Sequence, residues 1–576
     1  MRSLPVAVVL AALTAGCGGH PADRKDRPAG ATRGGHVTFL SAADIDFLDP
    51  GQTFSQFGYM VEYAVNRTLY SFKPNDSAHP VPDLAAGVPR ISADKRTVTV
   101  RLKRGIRYAP PVNREVTSKD IKYAFERAFS AHVLNSYATT YFGSIVGAPR
   151  TPSKGIEPIP GIRTPDDRTI VFRLRRPTAP TVAAALVMPI TAPVPEEYAR
   201  RRDRRAPSTY GQYVAFTGPY MVRHRADGKV VGHEPGKRIE LVRNPNWDRS
   251  TDYRPAYLDA MTIQEGNGDL AVASRRTLRG SKLMCCDTTQ PPVAVLKEAL
   301  VRYPRQVSRV PGGATHWIAL NTSRAPFDDI NVRRAVIAGF DRNALRLSRG
   351  GKAVGPVAQH FIPPGIPAFS ESGGAKGFSD LDFMRNPRGD MNLAARYLRA
   401  AGFKSGRYEG NEELLAVAAN ASPDAQTALV AEAQFRKLGF RIKLRTLDAN
   451  TVFTRFCSVP DSGYAICPSV GWFRDITDPQ SLLEPTFSGA AIIPQGNVNW
   501  SQLADPEIDR MMAAAAPIPA GARRNDAWAA INRKVVEQAA AIPYLWDDVF
   551  QLASDDVRGV MNGYFGTWDL SFSSIK

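Results

Sequence analysis

After residue 16 the chain offers no run of about 18 uninterrupted apolar residues, so nothing later in it suits a helical membrane span. The remaining 560 or so residues must fold in water. At 576 residues the chain exceeds what one hydrophobic core supports, which predicts two or three lobes. Helical and strand patterns alternate irregularly, the mark of a mixed α/β protein. Thr97–Leu102 and Thr169–Leu174 alternate with period two and read as half-buried strands. Thr117-Ser118-Lys119-Asp120 opens an amphipathic helix, with Thr117 as N-cap and Asp120 in the first turn. Leu393–Ala401 and Ala425–Leu438 read as helices closed by Gly402 and Gly439, Arg441–Leu447 as a strand, and Ala527–Ala540 as a helix stopped near Pro543.

Residues 1–16, MRSLPVAVVLAALTAG, combine Arg2 with a short apolar stretch and small residues at the end, which is the pattern of a secretory signal. Ala15-Gly16-Cys17 resembles a bacterial lipobox, although Thr14 stands where an aliphatic residue is usual. Cys17 is the expected lipidation site. A diacylglyceryl group supplies the two chains that durable anchoring needs, at ~0.8 kcal/mol per buried CH2. Residues 18–35 carry no apolar pattern and read as a solvated tether.

Four cysteines remain, Cys285, Cys286, Cys457 and Cys467, and they allow three pairings. Cys457 with Cys467 would close a short loop worth roughly 2–3 kcal/mol. It would leave the neighbours Cys285 and Cys286, for which a disulfide is expected to be strained. There is no CxxC and no grouped histidine, so no metal site and no cofactor are expected. The net charge of +19 is dispersed, apart from Arg200, Arg201, Arg202, Arg204 and Arg205, which read as a solvated loop or helix face. No nucleic-acid motif accompanies them, so nucleic acid is not an expected partner. GxSxG, HExxH and GxxxxGK[ST] are all missing, and a non-enzyme is expected.

Short segments along the mature chain follow one order. They are Leu48-Asp49-Pro50, Asp83-Leu84-Ala85, Leu102–Ile106, Val116–Ile121, Thr217-Gly218-Pro219-Tyr220 and Arg243–Trp247. Leu320-Asn321-Thr322, Pro326–Asp329, Val332–Val336 and Gly471-Trp472-Phe473-Arg474-Asp475 with Asp478-Pro479 continue the series. In this order the chain resembles the bacterial extracellular solute-binding proteins of family 5, the oligopeptide, dipeptide and nickel type. Ala109–Arg114 departs from the family pattern, in a loop.

The resemblance implies a two-lobed α/β fold of the periplasmic-binding-protein kind (class II, peptide type), with a third domain and a ligand cleft between the lobes. Residues 36–75, 214–314 and 549–576 would form lobe I, 76–213 the extra domain and 315–548 lobe II. It implies a monomer outside the cytoplasm that delivers solute, oligopeptide first, to an ABC permease. In peptide-binding members the aspartate at the position of Asp475 holds the ligand α-ammonium, and Trp472 would wall the site. Arg474 stands beside Asp475 as a competing cation. Gln56, Tyr59 and Trp317 are further cleft candidates, with packing as the alternative for Tyr59 and Tyr63. His316 reads as structural. The alternatives are a metal chelate, haem or oligosaccharide on the same fold, a signalling receptor, or a secreted cell-wall hydrolase.

Overall fold

The computed structural model describes residues 31–576 apart from 134, 136, 288, 289, 421 and 495. The signal segment, Cys17 and most of the tether lie outside the described residues. One eleven-stranded mixed sheet runs through the molecule. Its strands are β1 His36–Leu40, β2 Tyr220–Val222, β3 His233–Glu234, β4 Arg238–Arg243, β5 Ala260–Gln264 and β6 Leu283–Cys285. They continue with β7 Val307–Leu320, β8 Glu413–Ala419, β9 Arg441–Leu447, β10 Ile466–Phe473 and β11 Ala541–Ala553. The order is β9-β8-β10-β7-β11-β6-β1-β5-β4-β2, with β3 on β4. β1 is parallel to β5 and β6, and β8 to β9 and β10, while β7 is antiparallel to β10 and β11.

Two large apolar clusters divide this sheet. One gathers residues 37–284 and 549–570, joined by Ile476, and the other residues 296–550. β7 and β11 cross from one to the other. Their pairing is interrupted between Pro311, opposite Asp548, and Thr315, opposite Trp546. Gly312 and Gly313 occupy the gap. Gly313 has φ +71°, and a Cβ there would lie 2.7 Å from the Arg474 guanidinium, so the bend calls for glycine twice over.

A separate four-stranded antiparallel sheet, Arg90–Ile91, Thr97–Arg101, Thr169–Arg173 and Ile162–Asp166 in spatial order, packs on the first lobe. Helix α2, Ser118–Ala128, covers it, with the Phe125 ring 5.1 Å from Phe172 and 4.8 Å from Phe142. The Thr117 backbone N–H donates to Asp120 at 2.8 Å, which fixes the expected helix start. These side chains join the first lobe's core rather than forming their own.

The join also carries buried charge. Arg127 of α2 donates to both Asp49 oxygens at 2.7 Å and to Asp203 at 2.8 and 3.0 Å, with all three side chains inaccessible. Arg67 and Asp83, with Asp252 and Arg254, form a second such knot. Of the arginines at 200–205, Arg202 is buried between Tyr198 and Tyr213, 4.3 and 3.9 Å from their ring centres, while the others are exposed.

Most of the expected elements are present. The last helix differs: it spans Ala522–Glu537, and Pro543 lies inside β11 opposite Trp317. Ala539, at φ +52°, ends the helix instead. The disulfides are Cys457–Cys467, with sulfurs 2.03 Å apart, and the vicinal Cys285–Cys286 at the end of β6.

Arg127→Ala would leave Asp49 and Asp203 buried without a counter-charge. The expected loss is about 3–5 kcal/mol of unfolding free energy in denaturant titration, partly restored when both aspartates are also replaced by alanine.

Candidate functional site

β10 ends two residues before Asp475 and aims it into the seam between the lobes. Side chains alternate along the strand, so Val470 and Trp472 turn into the second core. Phe473 faces the other way. A Cβ placed on Gly566 would lie 3.3 Å from Gln56 Nε2 and 3.6 Å from the Phe473 ring, so lobe I and lobe II meet at that point.

Three parts of the chain converge on Asp475. Its carboxylate accepts a short hydrogen bond from Tyr141, on the helix Ala138–Phe142 of the third domain. Tyr137 supplies a second hydroxyl to it. Its carbonyl accepts from Tyr564 Oη of the C-terminal tail at 2.8 Å. Helix α1, Gln56–Val65, closes the ring from below with Tyr59 and Tyr63. Their ring centres are 6.1 Å apart, and Tyr63 lies 6.2 Å edge-on from Tyr564. The loop into α1 is wound around Asp46, which accepts the N–H groups of Phe54 at 2.7 Å and Ser55 at 2.9 Å.

Burial pushes the Asp475 carboxyl up to about 7, against the pull of Tyr141 and Tyr137. Arg474 does not relieve it. That guanidinium turns back to the Tyr564 carbonyl, at 3.1 and 3.3 Å, and rests on Gly313. Burial lowers its own pKa to about 10. Among the described residues no cationic side chain forms an ion pair with Asp475.

Of the residues singled out from sequence, Gln56 lies at the seam beside Gly566, while Tyr59, near Asp475, is 7% exposed and packed in the first core, the packing alternative. It separates Trp317, which is 2% exposed and packed against Phe361, Phe487 and Trp500 in the core of lobe II. The register of β7 turns that position inward. Trp472 is held against the same core, with Nε1 donating to the Ser481 carbonyl at 2.9 Å and Trp500 6.0 Å away. Tyr137, Tyr141 and Tyr564 were not legible as site residues, because they come from remote segments with no shared motif. His316 pairs with Asp547 at 3.1 Å in a second polar patch with Arg349 and Asp424, which are themselves 2.6 Å apart. Gly471 makes room for it, since a Cβ there would meet His316 Nδ1 at 2.6 Å.

Residues 79–493 match the family described as bacterial extracellular solute-binding proteins, family 5 middle. The chain belongs to that family. Periplasmic oligopeptide-binding protein OppA of Escherichia coli (strain K12) is 24% identical over 557 residues, covering 94% of this chain and 92% of that protein. Heme-binding protein A of Haemophilus influenzae is also 24% identical, over 83% of this chain and 81% of its own. The solved structure of clavulanic acid biosynthesis oligopeptide binding protein 2 superposes with a TM-score of 0.82 at 28% identity, covering 94% of this chain and 96% of that one. A dipeptide binding protein from Pseudoalteromonas sp. SM9913 in complex with Met-Leu superposes with a TM-score of 0.73 at 21% identity, over 94% and 100% of the two chains. These relatives are binding proteins rather than enzymes, and proteins of family 5 work outside the cytoplasm. No helix among the described residues is long and apolar enough to cross a membrane.

The Asp475 environment has a pH signature. Its folded-state pKa lies above the unfolded value of 3.8, so the folded protein holds the extra proton between those limits. The associated stability is full below the unfolded value and is lost as pH rises through about 7. Asp475→Asn has no such loss. Its denaturation midpoint should therefore move upward relative to the unaltered protein as pH is raised from about 5 to about 8, and a constant difference would place the carboxylate in free solvent.

Proposed function

We propose that this family 5 protein captures peptides with a free amino terminus and delivers them to an ABC importer, as a monomer held at the membrane by lipid on Cys17. The observation that carries the reading is Asp475: a carboxylate at the lobe seam, surrounded by tyrosines, with no cationic partner among the described residues. An α-ammonium supplies the missing charge through a charge-assisted hydrogen bond where water is scarce. Gln56 of lobe I, with Phe473 of lobe II, walls the approach. Closure over a neutral ligand would leave Asp475 either protonated or uncompensated, which disfavours such ligands. The hinge at Gly312-Gly313 lets the lobes part, and a permease that distinguishes open from closed would be served by that motion.

The test is calorimetry with tri- to pentapeptides and their N-acetylated counterparts. Free-amine peptides should bind, and acetylation or Asp475→Asn should each weaken binding about 10- to 100-fold. Below about pH 7, binding of the ammonium should release a proton, read from heats in buffers of different ionisation enthalpy. Equal affinity for acetylated peptides would remove the amine anchor. Haem would instead declare itself in the absorption spectrum of the protein, the reading suggested by the haem-binding relative.

A further inference from the structure

Asp44, His233 and Glu265 are remote in sequence, but their ligating atoms all lie within 4.8 Å of one another. The place is the carboxyl-terminal edge of the first lobe's sheet. β1 and β5 run parallel there and end together, Leu40 beside Gln264. Glu265 follows β5 directly and Asp44 stands in the loop after β1. His233 comes from β3, opposite Ile239 of β4.

The cluster is oriented from within. Glu265 is 5% exposed, and its Oε1 accepts the Ile45 N–H at 3.1 Å. Its backbone N–H donates to the Lys237 carbonyl at 2.9 Å. This holds the carboxylate with Oε2 buried and turned toward the Asp44 carboxyl, its hydrogen-bonding neighbour, with no backbone donor reaching that oxygen. His233 Nε2 is buried too, with Asp44 Oδ1 3.9 Å away as its ion-pair partner. No lysine or arginine forms an ion pair with either carboxylate among the described residues. Two carboxyl groups and an imidazole thus face one another with no outside donor or cation joining the set, an arrangement that costs free energy unless something bridges them.

We propose that Asp44, His233 and Glu265 bind a divalent transition cation of the Zn2+ type. Two carboxylate oxygens and one imidazole nitrogen form a mixed O/N set suited to such a cation, with three protein ligands and one position left for water. Ca2+ is a poorer fit, since it takes six to eight oxygens. Bonds of ~2.0–2.2 Å require the donors to close up by about 1 Å, and Asp44, the exposed member on a loop, can supply that movement. The cation would tie the loop after β1 to the β3–β4 hairpin. That loop continues through Asp46 into α1, so the site braces the element carrying Gln56 and Tyr59 without lying in the cleft.

The experiment is titration of the chelator-treated full chain with ZnCl2 by calorimetry, with melting curves at each metal ratio. One equivalent should bind saturably and raise the melting temperature. His233→Gln and Glu265→Gln should each weaken the affinity at least about tenfold and remove the metal-dependent shift, while melting near the unaltered protein without metal. His79→Gln, on an exposed hairpin beside Asp76, should retain both effects. Absence of saturable binding, binding that survives both ligand substitutions, loss of binding in His79→Gln, or an equal shift with CaCl2 would each overturn the assignment. Peptide affinity is measured separately, so a failed metal site leaves the solute-binding reading intact.

Discussion

β7 and β11 pair along most of their length and belong to both lobes, so everything else is hung on that ladder. A continuous pair of strands keeps its backbone groups satisfied on both sides of the seam. The interruption at Pro311–Thr315 confines the break in the ladder to a few residues. Arg474 caps the same spot by lying on Gly313 and bonding the Tyr564 carbonyl.

The mouth is governed by a competition over one carboxylate. Burial favours neutral Asp475, and two tyrosine hydroxyls favour the ion. Burial wins and pushes the carboxyl up to about 7. A hydroxyl ring is a modest substitute for a cation. It satisfies lone pairs while leaving net charge uncompensated, a charge that an ammonium would neutralise.

Much of the fold was open to reading because it is written locally. The α2 start rests on Thr117 and Asp120, four residues in a row, and the strands 97–101 and 169–173 on strict alternation. The end of the 522–537 helix was misplaced because Pro543 is an obvious breaker, whereas the real terminus is a positive φ at Ala539, which leaves no compositional mark. The motif marked the position of Asp475 without its surroundings, and Trp317 lies in the core because motif proximity says nothing about which face of β7 a residue takes. Tyr141 and Tyr564 reach Asp475 over 334 and 89 residues of chain. Asp44, His233 and Glu265 are similarly scattered, so histidine spacing could not reveal them.

The same distribution of signal explains why the fold family leaves the ligand open. The ordered short motifs lie largely at caps, turns and the lobe seam, where geometry restricts the residue, and the architecture is shared with a solved structure at 28% identity. The proposed walls, Phe473 and Gln56, are instead constrained by what they must fit. On the proposed reading of Asp475 as the amine anchor, selectivity comes from the charge state that closure imposes. A ligand bearing an ammonium at Asp475 lowers the cost of burying the ion, whereas a neutral ligand must accept the protonated form, so discrimination between them sharpens as pH rises through the carboxyl's own titration.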